Sequence, residues 1–419
     1  MSGVAVRHGE PCSVLSVKFF AGQPKNLAAV GPTSPAAPQT QPATPMQLAA
    51  LSSVKHRVQV NAPLPFNVRC SNKTLILARG QRIESQQQLE SLFERGALVD
   101  IAELQSSREE VLKATRSQLP QLWSKSMDAV AQAIRQSPED AGFKAALDDA
   151  SAPVLSLIER DPDLAIFQVL RQGAGADTDY GAQRSLQTAI TSLLVAQRLG
   201  WEPPEAERAF KVALTMNLSM LELQGQMARQ ATAPSPDQRH ALQTHPMRSV
   251  RMLEAAGVTD ALWTQAVLQH HENEDGSGYP SGSTDVTALA SLVRRSDVYT
   301  SKLASRSTRD AMGADQAGRQ MFMQDPGHPM TAALVKEFGV YPPGCHVRLA
   351  SGELAIVVAR GPTVTTPVVA CLSNARGVPL QSPVRRDTSQ SGSAVACVVG
   401  EAAVGRRLPL DRLMAALVA

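Results

Sequence analysis

Apolar residues recur at helical spacing from about residue 151 to about 335. In the stretch RSLQTAITSLLVAQRLG, Leu186, Ile190, Leu193, Leu194 and Leu199 share one broad face. The next stretch, PPEAERAFKVALTMNLSMLELQGQM, opens on prolines and then repeats Phe210, Leu214, Leu218 and Leu221. His245 precedes Pro246, where a helix can begin because its first position tolerates proline. Leu262, Ala266 and Val267 carry the pattern to His270 and His271, and a last helix near 285–303 contains Asp297. This spacing predicts a bundle of five or more helices.

The flanking segments follow other periods. Val58 and Val60, then Leu75 and Leu77, alternate as short strands do, with Ser71-Asn72-Lys73 as a turn between them. Ser85 can cap a helix carrying Leu89, Leu92 and Phe93, which predicts a small α+β docking or regulatory module at 55–100. Residues 1–54 read as low-complexity or disordered; within them, 31–50 hold five prolines and five alanines, the composition of a tether. Residues 101–150 read as a connector of polar helices without an obvious site. Beyond Tyr341, PPGCHVRLASGELAIVVARG reads as strand, turn, strand, and TTPVVACL as a third strand. Residues 383–393 read as a loose loop and LPLDRLMAALVA as a docked helix. The expected fold class is thus mainly α, a helical domain at 151–340, with a β-rich tail at 341–419.

Composition narrows the function. A net charge of +3 over 419 residues gives no strong pull toward nucleic acid or anionic lipid, and 4% aromatics leave few stacking platforms for bases. The five cysteines are scattered without a C-x-x-C pair, so neither a zinc knuckle nor a disulfide framework is expected. The N-terminal residues make a poor signal peptide, and no apolar run is long enough for a membrane span. A cytoplasmic protein is the expectation.

The densest chemistry is HHENEDGSGYP, His270 to Pro280: two imidazoles, three carboxylates and two glycines in eleven residues. Gly276 and Gly278 allow a tight reversal that can hold Asp275. His245 and Asp297, each on another expected helix, can supply a further nitrogen and oxygen if the bundle folds inward. Imidazole and carboxylate together suit iron, manganese or zinc.

This loop resembles the signature of the HD-GYP family, metal-dependent phosphodiesterases that linearise and hydrolyse cyclic di-GMP in bacteria. The resemblance extends over roughly 175–350 and implies an HD-GYP-like bundle. His245 before Pro246 matches the family's isolated metal-binding histidine, SDVYTSKLASR its aspartate segment at Asp297, and FGVYPPGCHVRLASGELAIVV its closing tail. The signature loop then comprises Glu272, Asp275, Gly276, Gly278, Tyr279 and Pro280, which keep a rigid surface loop, with contacts to diguanylate cyclase domains as the further role the resemblance implies.

Five positions depart from the pattern. Met216 and Asn217 stand where the family has its His-Asp pair, Ser219 replaces the glycine and Met220 the lysine that follow, and Arg184 replaces an upstream histidine in YGAQRSL. A neutral Asn217 amide cannot bridge two cations, and the Met216 thioether suits hard or borderline ions poorly. The Arg184 guanidinium repels a cation, but it can contact a phosphate or pair with Asp297. The resemblance therefore implies a degenerate protein with no catalytic residues and no cofactor. His245, His270, His271 and Asp297 persist as a buried vestige of the metal site, with one weak iron, manganese or zinc ion on the three histidines as the alternative. The expected role is signalling, through a protein partner such as a diguanylate cyclase or through cyclic di-GMP sensing without hydrolysis, with homodimerisation left open. An active phosphodiesterase with an atypical metal centre is the competing reading. Arg294, Arg295 and Arg306 read as solvated charges or phosphate contacts.

Overall fold

The structure is a computed structural model, and it describes residues 48–53, 58, 60–100, 107–135, 143–170, 180–400, 404 and 417. All of them belong to one unit, Met46–Ala419. The N-terminal module is built from β1 (Leu48–Ala50), β2 (Val68–Arg69), β3 (Leu75–Leu77) and β4 (Leu98–Asp100), antiparallel in the order β1-β4-β2-β3. Helix α1 (Gln86–Glu94) starts where Ser85 accepts a hydrogen bond from the Gln88 amide and packs Leu89 and Leu92 against Phe66, Ile83 and Val99. The module thus reaches back to Leu48, inside the segment read as low-complexity, because Leu48–Ala50 pairs with β4. Val58 and Val60 are not in a strand; the rest of the expected tether lies outside the described residues.

The connector is more than polar helices. Helices α2 (Ser107–Lys113), α3 (Leu119–Arg135) and α4 (Phe143–Arg160) bury Val111, Trp123, Phe143 and Leu147 in the same core as the bundle. Next come α5 (Pro162–Leu170), α6 (Tyr180–Arg198), α7 (Pro203–Thr215), α8 (Leu221–Arg229), α9 (Pro236–Ala255), α10 (Ala261–Gln269), α11 (Ala288–Leu303), α12 (Ala314–Gln324) and α13 (Pro329–Phe338). Helix α6 is the hub: it packs against α3, α5, α7, α8, α11 and α13 and is buried on nearly every side. Its Ser185, Thr188, Thr191 and Ser192 are small enough for such crowding, and Thr188 and Thr191 bond back to carbonyls one turn earlier. Gly181 lets α8 close on it, since a Cβ there would stand 2.3 Å from the Leu221 oxygen.

The tail is a five-stranded antiparallel sheet in the order β8-β7-β6-β5-β9: β5 (His346–Leu349), β6 (Leu354–Ala359), β7 (Val368–Ser373), β8 (Pro379–Asp387) and β9 (Val395–Val399). Strand periodicity divides β6 and β7 between two cores. Ile356, Val358, Ala370 and Leu372 face the bundle, while Ala355, Val357, Val369 and Cys371 join Val347 and Leu349 on the other side. The loose loop expected at 383–393 is shorter, because β8 continues to Asp387 on ladder bonds with β7. Of the expected C-terminal helix only Leu417 is described; it is helical and buried in the bundle core. No described helix is long and apolar enough to cross a membrane.

Candidate functional site

Three histidines meet where α9 passes the end of α10. His245 lies inside α9, His270 caps α10, His271 follows it, and their ligand atoms are all within 4.8 Å of one another. The helix expected to begin at Pro246 in fact begins at Pro236, behind a capping box in which Ser235 accepts from the Gln238 amide at 3.1 Å. Pro246 is therefore an interior proline, and its missing N–H leaves the Leu242 carbonyl without the usual helical donor. His245 Nδ1 takes that place, 2.6 Å from the Leu242 oxygen. His270 Nδ1 makes the equivalent bond to the Val267 oxygen, also at 2.6 Å.

A carbonyl only accepts, so both rings carry their proton on Nδ1 and a lone pair on Nε2. Those two Nε2 atoms stand 3.1 Å apart. Two lone pairs facing at that distance repel until a cation or a proton comes between them. Burial, reinforced by the neighbouring rings, pushes His245, His270 and His271 down to about 3, so near neutral pH all three offer uncharged ligand nitrogens. This donor set fits one borderline ion such as zinc, manganese or iron.

Arg184 brings the opposite chemistry. It projects from the hub helix, is 5% exposed, and donates through Nη2 to Asp297 Oδ1 at 2.8 Å. Burial pulls the guanidinium pKa down and the Asp297 carboxylate opposes that shift. Thr188 also reaches Asp297 Oδ1 at 3.4 Å and is bonded to Thr300, so α6 and α11 are stitched together beside the histidines.

The signature loop is held by its own backbone. Glu272 is buried and accepts from the amides of Ser281 and Ser283; Asp275 is exposed and accepts from the Ser277 amide and hydroxyl. Tyr279 stacks on His271 with ring centroids 4.5 Å apart. Arg295 is not solvated: it is buried and bonds Glu274 and Asp325, tying the loop to α11 and to the segment before α13. Burial alone would raise the Glu274 carboxyl, but hydrogen bonds from Arg295 and Ser291 outweigh it and hold it down to about 2. A carboxyl held below its ordinary 4.5 stabilises the fold above that pH and ceases to do so as pH falls toward 2. Glu274→Gln is therefore expected to melt lower than wild type at neutral pH, with the gap closing in acid. A gap that persists unchanged from neutral pH to the acid limit would contradict this.

Arg184, Asn217, Met220, His245, His271, Tyr279 and Asp297 all line one cavity of about 370 Å³. Met216 is fully buried in the bundle core and His270 sits behind His245; neither lines the cavity, and nor do Glu272, Asp275, Gly276, Gly278 and Pro280. Arg306 does line it. Two further residues stand at the wall: Tyr180, which opens the YGAQRSL segment but has no role assigned in it, and Gln224, which the sequence does not mark, since a lone glutamine on a helix carries no spacing signal.

Residues 174–324 match the HD domain family. A cyclic di-GMP phosphodiesterase of Pseudomonas aeruginosa, PA4108, is 28% identical over 245 residues, 57% of this chain and 57% of that protein. A probable cyclic di-GMP phosphodiesterase of Vibrio cholerae is 24% identical over 198 residues, 43% of this chain and 44% of that protein. The chain spans about half the length of the curated relatives it matches. Among solved structures, Bd1817, described as an HDG"Y"P protein from Bdellovibrio bacteriovorus, aligns with a TM-score of 0.45 and 17% identity over 69% of this chain and 98% of that one. Residues 174–324 thus match an HD domain, and the chain is related in sequence over about half its length to cyclic di-GMP phosphodiesterases.

Proposed function

We propose that this chain is a catalytically degenerate HD-GYP-like signalling protein that senses cyclic di-GMP without hydrolysing it and passes the signal to a protein partner. The observation that carries the reading is the Arg184–Asp297 ion pair inside the cavity. A guanidinium stays protonated at any ordinary pH, and here it lies against the carboxylate that would otherwise neutralise a metal. Asn217 adds no negative charge, and Met220 brings no proton donor. A two-ion clamp needs carboxylates to hold and bridge its cations, and none remains free among the described residues that line the cavity. The relatives' named activity supports cyclic di-GMP as the nucleotide.

The three-histidine cluster favours a second reading, an active enzyme with one ion. An ion held by His245, His270 and His271 would supply Lewis acidity and a more acidic bound water. On the residue side, Tyr279 covers the His271 ring, and Arg184 could hold a negatively charged group in place. Incubation with cyclic di-GMP plus manganese or ferrous iron is expected to give no linear dinucleotide or GMP above a protein-free metal control. Robust turnover that disappears in His270→Ala would establish the second reading instead.

A further inference from the structure

Three polar atoms of residues lining the cavity are closed to solvent and have no hydrogen-bond partner: Arg184 Nη1, the Tyr180 hydroxyl and Gln224 Oε1. Buried polar groups are ordinarily satisfied, and three exceptions around one cavity call for a common cause. Tyr180 and Arg184 lie one turn apart on α6, on the same face, and Gln224 comes from α8, the helix that crosses α6 at Gly181. Arg184 spends Nη2 on Asp297 and keeps Nη1 unspent. A planar guanidinium is suited to this division, with one nitrogen on a carboxylate and another on a second oxyanion.

The charge count agrees. Among the described residues, Asp297 is the only carboxylate lining the cavity, against the guanidiniums of Arg184 and Arg306. The surplus of one positive charge matches a phosphodiester, which carries one negative charge. Met220, Met227, Leu242 and Tyr279 add apolar and aromatic surface for a group attached to that phosphate, and 370 Å³ is at the small end of ligand sites.

We infer that Arg184, Tyr180 and Gln224 form a metal-independent receptor for one phosphoryl group of a phosphate ester. Arg184 Nη1 and the Tyr180 hydroxyl donate to phosphoryl oxygens, while the Gln224 amide meets a polar group on the remainder of the ligand. The inference rests on the non-hydrolytic reading of this cavity and gives it a chemical anchor: a fixed organic cation holds the phosphate where a metal ion would otherwise do so.

The test is calorimetric titration of the full chain, stripped with a chelator and kept in it, against inorganic phosphate, GMP and cyclic di-GMP. At least one is expected to bind without metal, and which one does identifies the source of the phosphoryl group. Arg184→Met is expected to weaken that binding by at least about tenfold, and Tyr180→Phe by several-fold. Because Arg184→Met leaves Asp297 unpaired and lowers stability, Tyr180→Phe is the safer variant: it removes one unpartnered oxygen and should melt no lower than wild type. The inference fails if folded wild type binds none of the three in chelator, or if Tyr180→Phe binds as tightly as wild type. Turnover on adding manganese would overturn the non-hydrolytic reading while leaving chelator-resistant binding in place, so the two failures are distinguishable.

Discussion

Replacing Asp297 with alanine is expected to destabilise the protein by about 3 kcal/mol, the low end of what removing one partner of a buried ion pair costs. The low end applies because the Asp297 side chain is 20% exposed while that of Arg184 is 6% exposed. The variant would leave a guanidinium inside the hub helix with Nη1 already unpartnered and Nη2 left only its 3.3 Å bond to the backbone oxygen of residue 297. The pair itself adds little net stability, since desolvation offsets most of its attraction. Arg184→Met combined with Asp297→Leu should therefore recover most of the loss. Urea denaturation of wild type, Arg184→Met, Asp297→Leu and the double variant measures the coupling. A loss below about 1 kcal/mol for Asp297→Ala, or additive effects in the double variant, would show that the two residues do not depend on each other.

The second large effect is expected at Gly278. A Cβ there would stand 2.4 Å from the Glu272 Cα, 2.5 Å from the Asn273 nitrogen and 2.5 Å from the His271 oxygen. All three are backbone atoms, so no rotamer change relieves the clash. The His271 oxygen also accepts from the Tyr279 amide at 3.2 Å, so any shift there lifts Tyr279 from the imidazole it covers. Gly278→Ala is expected to cost about 3 kcal/mol, the upper part of the usual overpacking range. It should also release the amides of Ser281 and Ser283 from Glu272. Hydrogen exchange reads the release directly. Protection of those two amides equal to wild type would mean that the loop tolerates a side chain at 278.

The bundle is legible in the sequence because its helices are long and their apolar positions regular, so Leu186 to Leu199 admit one reading; Phe210 to Leu221 keep the spacing, yet α7 ends at Thr215 and a 3-10 turn at Leu218–Met220 leads into α8. The meeting of His245, His270, His271, Asp297 and Arg184 is legible only through the family resemblance, since nothing in their spacing relates residue 184 to residue 297. Local rules fail where a tertiary partner decides. Leu48–Ala50 looks like part of a proline-rich tether until β4 supplies its ladder, and Pro383–Asp387 looks like a loop until β7 does the same. Arg295 looks like a surface charge because its partners, Glu274 and Asp325, are 21 and 30 residues away in sequence. Proline carries two meanings, helix start or helix interior, and at Pro246 the stronger start signal at Ser235 and Pro236 decides between them.

That interior proline has a thermodynamic consequence. Proline within a helix costs on the order of 3 kcal/mol relative to alanine, so α9 as a folding unit would gain from almost any other residue at 246. Any other residue would also bring an amide proton that competes with His245 for the Leu242 carbonyl. The His245 bond would then be shared and weakened, and the tautomer that leaves Nε2 as a lone pair would be held less firmly. Selection for stability alone would therefore erode the ligand nitrogen without altering a residue that touches the cavity through its side chain. At position 246 the fold and the site have opposed interests, and the helix concedes.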